Sequence, residues 1–256
     1  MADPTFPDLR DASVFITGGG SGIGAALTEG FLRQGANVAF VGRSDYSGFA
    51  AEMERETGRK PLFLQCDITD TAALRDAMGE AANAHGPVTR LVNNAASDDR
   101  HGLLDVDEAY WRRAIDVNLG AYLFACQAMI KTLQNKGLPG TIVNYSSISY
   151  MMGNGGYAIY TAANAGIVAL THSIARDFGP HGIRANALAP GWVLTQKQMD
   201  LWANPDDLKA HLARQCIPEH LRPADMVGPT LFLASDASKM MTGQVMAVDG
   251  GVVVSG

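Results

Sequence analysis

The sequence has little cysteine, little charge and no long apolar run, and each shortage excludes a class of protein. Its three cysteines, Cys66, Cys126 and Cys216, form neither a CxxC pair nor a His-rich group, so no disulfide framework and no metal site is predicted. Charged residues make up only 18% of the chain, and the net charge of −6 argues against nucleic acid or an anionic membrane as a partner. No run approaches the roughly 18 apolar residues of a membrane span, and residues 1–13 lack the apolar segment of a secretory signal. We therefore expect a soluble protein of the reducing cytoplasm.

Glycine, by contrast, is abundant: 28 of 256 residues, about 11% where about 7% is usual. Several of these glycines lie in the stretch TGGGSGIG at 17–24, which directly follows the apolar run 14–16 and precedes a helical pattern. Glycines allow the backbone to approach a pyrophosphate, and a helix N-terminus offers unpaired N–H groups and a favourable dipole. This placement predicts the phosphate-binding loop of a dinucleotide cofactor.

Short β-branched runs alternate with amphipathic segments along the chain. The predicted strands are 14–16, 38–41, 62–64, 91–92, 141–143, 183–188 and 245–248, and the predicted helices are 22–34, 47–57, 71–84, 109–136, 157–178 and 224–234. Apolar strands joined by helical crossovers predict an α/β fold, a doubly wound parallel seven-stranded sheet in a single domain over residues 1–256. The segment 191–221 departs from this alternation and predicts a substrate lid, with a packed surface excursion as the alternative.

Several motifs occur in the order typical of the short-chain dehydrogenase/reductase family. They are TGxxxGxG at 17–24, Asn93-Asn94-Ala95-Ala96 after the fourth strand, Asp116-Val117-Asn118, Ser147 and Tyr160 13 residues apart, and Pro190-Gly191 after the sixth strand. The chain resembles this family throughout its length. The resemblance implies a Rossmann-type sheet of strand order 3-2-1-4-5-6-7 that binds NAD or NADP. It also implies a homotetramer packed through the helices of Asn118 and Tyr160, with apolar residues that could equally be core: Leu123, Phe124, Ala128, Leu170 and Ile174.

The resemblance places cofactor contacts in several separate segments. They are Thr17, Gly18, Gly20, Ser21, Gly22, Ile23, Gly24, Arg43, Ser44, Asp67, Ile68, Asn94, Ala95, Ala96, Tyr160, Asn164, Pro190, Gly191, Val193 and Thr195. After the second strand stands Arg43, with no carboxylate at the position where NAD-type members carry Asp. Because Arg43 can form a charge-assisted fork with a 2′-phosphate, NADP is favoured over NAD. The alternative is a solvated Arg43, with Asp45 turned inward to hold NAD.

The resemblance also implies a catalytic set, with one departure. Ser147 orients the substrate oxygen, Tyr160 exchanges the hydroxyl proton, Asn118 holds a relay water, and Asn164 stands where the family has a Lys that lowers the Tyr pKa. A cation about 4 Å away at an effective dielectric of about 20 is worth about 4 kcal/mol. Its loss should impair oxidation, which needs Tyr160 as a base, more than reduction.

Three interpretations of Asn164 remain open. In the first, Asn164 is a natural variant whose amide still binds the nicotinamide ribose. In the second, it is an introduced substitution that traps a complex. In the third, the protein is a pseudoenzyme that binds the cofactor without catalysing a reaction. Lys197, in the predicted lid, is the one other lysine placed to bring a cation near the site, although a solvated lid lysine is the simpler interpretation.

Polar side chains around the predicted site favour a sugar or polyol over an apolar substrate. The predicted substrate contacts are Ser147, Ser149, Asn154, Tyr157, Asp99, Arg100 and Trp192. The stretch 92–119, with Asp98-Asp99-Arg100-His101, is similar to bacterial aldose dehydrogenases of the D-xylose type, which oxidise the anomeric hydroxyl to a lactone; a merely solvated loop is the alternative. The resemblance gives His101 no catalytic role. We therefore predict an NAD(P)-dependent aldose 1-dehydrogenase, with a dehydrogenase of a keto-deoxy sugar acid, held by Arg100 or Arg113, as the alternative.

Overall fold

The computed structural model describes residues 4–254. Residues 1–3 and 255–256, which belong to the domain predicted over 1–256, lie outside the described range, and residues 1–3 are also the start of the N-terminal segment 1–13. The strands are β1 Ser13–Thr17, β2 Asn37–Gly42, β3 Leu62–Gln65, β4 Arg90–Asn93, β5 Gly140–Tyr145, β6 Ile183–Pro190 and β7 Val245–Val248. The helices are α1 Gly22–Arg33, α2 Ser47–Thr57, α3 Thr71–His85, α4 Glu108–Ile115, α5 Ala121–Lys136, α6 Ser149–Met152, α7 Ala158–Phe178, α8 Gln196–Leu201, α9 Pro205–Leu212 and α10 Val227–Ala234.

The strands form one parallel sheet in the order β3-β2-β1-β4-β5-β6-β7, which confirms the predicted doubly wound topology. The chain order reverses at β1, which pairs with β2 on one side and with β4 on the other. At this switch point Thr17 lies beside Asn93, at the carboxyl ends of both strands. In such sheets the loops that follow these ends create a crevice for a ligand.

Helices cover both faces of the sheet, which is why the central strands are mostly buried and mostly apolar, with Asn93, Asn144 and Asn186 as buried polar exceptions. On one face Leu27 and Phe31 of α1 pack with Leu231 of α10. On the other face Leu74 of α3 packs with Leu133 of α5. All five residues of β1 are buried.

Two predicted segments differ in detail from the structure. The single helix predicted over 109–136 is interrupted by a π-helical segment, Asp116–Gly120, between α4 and α5. Such segments occur frequently at functional sites, because the extra residue redirects the side chains that follow. The segment 191–221 contains the helices α8 and α9, and its base is closed where the Leu194 N–H donates to the Leu221 carbonyl at 2.8 Å.

One stretch, Ala158–His181, is long and apolar enough to cross a membrane by length and composition, a property that the sequence analysis did not register. In this fold the stretch is α7 with its following turn. Its buried residues Ala163, Ile167 and Ile174 face the protein interior, and α7 packs on β6. The stretch is therefore a helix that packs one face against the sheet, and it carries Tyr160 and Asn164.

Candidate active site

A cavity of about 1400 Å³ opens at the carboxyl ends of the strands. Loops after β1 to β6 line it, and the segment 191–221 contributes one wall. This is the edge of a doubly wound sheet where ligands bind. The cavity brings together the two groups of residues predicted from sequence, those for a cofactor and those for a substrate.

The glycine loop forms one end of the cavity and fits a dinucleotide pyrophosphate. Gly18 has a φ of +68°, and a Cβ atom at Gly24 would lie 1.9 Å from the carbonyl oxygen of Gly18. Ser21 precedes α1 without a side-chain cap, so the first N–H groups of the helix remain available to an anion. The close approach of backbone to backbone therefore requires glycine here, and the helix terminus points to phosphate binding.

Most of the predicted cofactor residues line this cavity. They are Gly18, Ser21, Ile23, Gly24, Arg43, Ser44, Asp67, Ile68, Asn94, Ala95, Ala96, Tyr160, Asn164, Pro190, Gly191, Val193 and Thr195. Three predicted residues lie behind its wall instead: Thr17, Gly20 and Gly22. The Thr17 hydroxyl accepts hydrogen bonds from the N–H groups of Asn94 and Ala95 at 3.0 and 3.1 Å, because the loops after β1 and β4 meet there. Gly20 packs under the ring of Tyr46, and Gly22 lies beside Thr195.

The two charged residues after β2 have different environments. Arg43 is exposed and lines the cavity. The Asp45 carboxylate accepts a hydrogen bond from the Ser47 N–H at 2.8 Å, at the start of α2. This bond lowers the pKa of Asp45. Of this pair, Arg43 is the residue that lines the cavity.

Tyr160 lies in the first turn of α7, and its hydroxyl interacts with the side chains of Ser147 and Asn164. Burial raises the pKa of Tyr160 above its usual range, the bonds to Ser147 and Asn164 only partly offset this effect, and the negative charge of Asp98 adds to it. Asn164 is 3% exposed, and its Nδ2 donates to the carbonyl oxygen of Tyr160 at 2.9 Å. This environment favours the neutral phenol over the phenolate.

Asp98 was not among the predicted site residues, yet it connects two walls of the cavity. Its carboxylate accepts hydrogen bonds from Lys197 Nζ at 2.8 Å and from Gln198 Nε2. Burial alone would raise the pKa of Asp98, but these bonds and the charge of Lys197 outweigh it and lower the pKa. Lys197 is therefore paired with Asp98 and does not replace the missing lysine at position 164. We name Asp98, Lys197 and Gln198 the lid clasp.

Asn118 occupies the π-helical segment, and its side chain is turned toward the loop after β4. Its Oδ1 accepts from the Ser97 N–H at 2.8 Å and its Nδ2 donates to the Ser97 carbonyl at 3.0 Å. The residue is 2% exposed. Both polar atoms of this side chain therefore hold the loop that carries Asp98, and the predicted relay role of Asn118 stays a prediction.

All predicted substrate residues line the cavity: Ser147, Ser149, Asn154, Tyr157, Asp99, Arg100 and Trp192. The Arg100 guanidinium lies 4.3 Å from the ring centroid of Tyr157 and 5.3 Å from that of Trp202. Trp192 Nε1 donates to Gln198 Oε1 at 2.8 Å. Sequence analysis missed Trp202 and Gln198, although both lie in the segment predicted as a lid.

A buried polar chain attaches α7 to the sheet. Asn93 Nδ2 donates to Asn144 Oδ1 at 2.9 Å, and Asn144 Nδ2 donates to the Thr171 hydroxyl at 3.0 Å. Both asparagines and Thr171 are fully buried. Because these bonds join β4, β5 and α7, they fix the helix that carries Tyr160 relative to the strand ends.

Comparisons with known proteins agree with this geometry. The profile of a protein family described as Enoyl-(Acyl carrier protein) reductase matches residues 18–253. The chain is 47% identical over 249 residues to a probable galactose dehydrogenase of Rhizobium meliloti (strain 1021), covering 96% of this chain and 97% of that protein. It is 39% identical over 252 residues to a D-xylose 1-dehydrogenase of Caulobacter vibrioides, covering 98% of this chain and 99% of the relative.

Solved structures give the same result. The crystal structure of a putative gluconate dehydrogenase from Agrobacterium tumefaciens superimposes with a TM-score of 0.90 at 30% identity, covering 98% of this chain and all of that one. Fold, motifs and relatives agree over almost the whole length of the chain. The chain therefore belongs to the short-chain dehydrogenase/reductase family and is an oxidoreductase that uses a nicotinamide cofactor.

Proposed function

We propose that the protein oxidises the anomeric hydroxyl of an aldose to a lactone, with an NAD(P) cofactor. The observation that carries this proposal is the Tyr160–Ser147 hydroxyl pair, which lies in one cavity with a phosphate-binding loop and a polar substrate wall. The relatives named as galactose and D-xylose 1-dehydrogenases support the substrate class.

The residues divide the chemistry as follows. Gly18, Ser21 and Gly24 would hold the dinucleotide, which would supply a hydride acceptor for C1 of the sugar. Tyr160 takes the proton of the C1 hydroxyl as its O–H bond breaks and the carbonyl of the lactone forms. Ser147, which already interacts with the phenol, orients the substrate oxygen toward it. Asn164 contributes hydrogen bonds but no charge.

The raised pKa of Tyr160 gives the two reaction directions different pH dependences. Oxidation needs the phenolate, so its rate increases as the pH approaches the raised pKa. Reduction needs the neutral phenol, which is the form present at neutral pH. The enzyme is therefore a slow oxidant at neutral pH and a faster one in alkali.

NADP is the favoured cofactor of this proposal. Arg43 lines the cavity at the end of β2, where a 2′-phosphate would lie. The competing carboxylate, Asp45, is bonded to the Ser47 N–H and lies away from the cavity lining. These two environments favour a phosphate over a free ribose hydroxyl.

A second candidate substrate is a sugar acid. Arg100 and Arg113 both line the cavity, and within residues 4–254 neither forms an ion pair with a carboxylate. A relative named gluconate 5-dehydrogenase, 33% identical, supports this class. A substrate carboxylate would accept charge-assisted hydrogen bonds from the guanidinium group of Arg100 or Arg113.

The segment 191–221 acts as the lid in this proposal, because the lid clasp joins it to the loop after β4.

The protein assembles as a homotetramer in the cytoplasm. Leu123 of α5 is 43% exposed and suits a subunit contact, whereas Ile174, predicted for the same contact, is 5% exposed and belongs to the core. Three free cysteines, Cys66, Cys126 and Cys216, suit a reducing compartment.

The proposal is tested by titrating the protein with NADPH and NADH and then assaying a panel at pH 7 and pH 10. The panel contains D-galactose, D-xylose, L-rhamnose and D-gluconate. We expect dinucleotide binding, and turnover of an aldose that is faster at pH 10, with the lactone as product. Turnover of D-gluconate alone would favour the second candidate. Binding without turnover of any panel member, also in Asn164→Lys, would contradict both.

A further inference from the structure

His101 lies where three segments of the chain meet. It belongs to the loop after β4, and its own N–H donates to the Gly156 carbonyl at 2.9 Å. Its Nε2 accepts a hydrogen bond from the N–H of Ile159, 58 residues later, at 3.3 Å. Its Nδ1 lies 2.9 Å from the hydroxyl of Tyr110 on α4. A single imidazole thus connects the β4 loop, α4 and the start of α7.

The start of α7 has no side-chain cap of its own. Tyr157 precedes the helix and makes no capping hydrogen bond. The first N–H groups of a helix have no partner within the helix, so other groups must satisfy them. His101 meets this need for Ile159, the residue immediately before Tyr160.

The two hydrogen bonds of the ring define its protonation. A backbone N–H is only a donor, so Nε2 must carry no proton. Nδ1 then carries the proton and donates it to the Tyr110 hydroxyl or to the Asp99 carbonyl, which lies 3.1 Å away. The ring also packs on Tyr110, with 5.0 Å between ring centroids. The imidazole is neutral and has one orientation.

We propose that His101 is a positioning residue for Tyr160. By capping α7 at Ile159, the neutral imidazole holds the first turn of the helix and so sets the place of the phenol relative to Ser147. His101 does not itself line the cavity, and both ring nitrogens are engaged, so it takes no part in proton transfer. The inference depends on the proposed role of Tyr160 as acid and base.

The test compares three variants with the unaltered protein. His101→Leu removes both polar atoms, His101→Gln restores an acceptor and a donor on one side chain, and Tyr110→Phe removes only the hydroxyl that orients Nδ1. His172→Leu, which removes an exposed histidine on α7, is the matched control. Hydrogen exchange of a peptide spanning residues 157–162 is followed by mass spectrometry, together with kcat and KM for NADP and D-galactose.

In His101→Leu we expect exchange in this peptide to be about 2- to 12-fold faster, as the loss of one net hydrogen bond implies. We expect kcat to fall about 10- to 100-fold with KM changed less than about 2-fold, because misplacement of a catalytic group affects the chemical step. His101→Gln should recover most of both, Tyr110→Phe should give an intermediate effect, and His172→Leu should match the unaltered protein.

Unchanged exchange in His101→Leu, or equal defects in the Gln and Leu variants, would overturn the proposal. An increase of KM with kcat preserved would overturn it as well, because the residue would then affect binding alone. The exchange measurement needs no substrate, so it tests the cap even if no sugar is oxidised. The failure of the proposed function can therefore be told apart from the failure of this inference.

Discussion

The side-chain amide of Asn164 donates a hydrogen bond to the main-chain carbonyl of Tyr160, one helical turn earlier, at 2.9 Å. The residue at this position faces the phenol, as an i, i+4 pair on a helix must. Asn164 has a neutral amide at the position where the family has a positively charged Lys. Burial raises the pKa of the phenol, and the hydrogen bond to Asn164 offsets this rise only in part.

Asn164→Lys should accelerate oxidation at neutral pH. An ammonium near the phenol stabilises the phenolate and lowers the pKa of Tyr160, which moves the alkaline limb of the rate profile toward pH 7. Because one pKa unit is a tenfold change in phenolate, we expect a gain of about 10-fold or more at pH 7 that becomes smaller as the pH approaches the raised pKa of the unaltered protein. The measurement is the initial rate with NADP and D-galactose from pH 6 to 10.

Asn164→Gln is the control for this prediction, since it keeps the amide and adds length without charge. It should leave the pH profile in place. Identical profiles for the lysine variant and the unaltered protein would show that charge at position 164 does not govern Tyr160.

Tyr160→Phe should abolish turnover while the dinucleotide still binds. Loss of a positioned acid or base costs about 10²- to 10⁴-fold in rate. Ser147→Ala should reduce the rate by a smaller factor, because the phenol remains. Steady-state rates and NADPH fluorescence titration separate the two effects, and a loss of binding equal to the loss of rate would argue against the assignment.

Arg43→Ala should weaken the preference for NADP. A hydrogen bond to a charged group contributes about 1.5–3 kcal/mol, so KM for NADP should increase about 10- to 100-fold while KM for NAD changes little. Asp45→Ala is the matched variant after the same strand and should leave the ratio of the two values unaltered. If NAD is preferred by the unaltered protein, the interpretation of Arg43 is wrong.

Asp98→Asn should loosen the lid. The ion pair with Lys197 is partly exposed, so its loss is worth at most about 1 kcal/mol and KM for the sugar should increase about 2- to 5-fold. The lowered pKa of Asp98 means that this stabilisation is present above the usual carboxyl range and is lost as the pH falls through the lowered value. Lys197→Met should have the same effect on KM, and additive losses in the double variant would show that the two side chains act independently.

Asn144→Ala should destabilise the whole fold. The change leaves the Asn93 amide without its bond to Asn144 Oδ1 and removes the bond to Thr171, all in a fully buried place. We expect a loss of about 2–4 kcal/mol in the free energy of unfolding, or about 4–12 °C in Tm, by calorimetry. Asn135→Ala, at an exposed site on α5, should change Tm by little more than 1 °C, about 0.5 kcal/mol or less.

Much of the fold and half of the site could be predicted from local patterns. The apolar runs and helical periods placed all seven strands. Strands of a parallel sheet that is covered on both faces are short, nearly continuous apolar runs, and such runs can be seen in the sequence itself. The glycines at 18 and 24, and the spacing of Tyr160 and Asn164 on one helix, are equally local. The π-helical segment 116–120 was missed, because one extra residue in a turn leaves no separate signal in the periodicity.

Contacts between distant residues were decided only by the tertiary structure. Asp98 meets Lys197 across 99 residues and His101 meets Ile159 across 58, and no pattern in the sequence connects either pair. Sequence alone determined where the strands lie along the chain, the position of the glycine loop and the absence of a lysine at position 164, since each depends on neighbours along the chain; the order of the strands in the sheet was implied only by the family resemblance. Folding decided which carboxylate bonds to Lys197 of the segment 191–221 and which side chain accepts from the N–H of Ile159 in α7, because burial and hydrogen bonding act between groups that are close only once the strand ends converge.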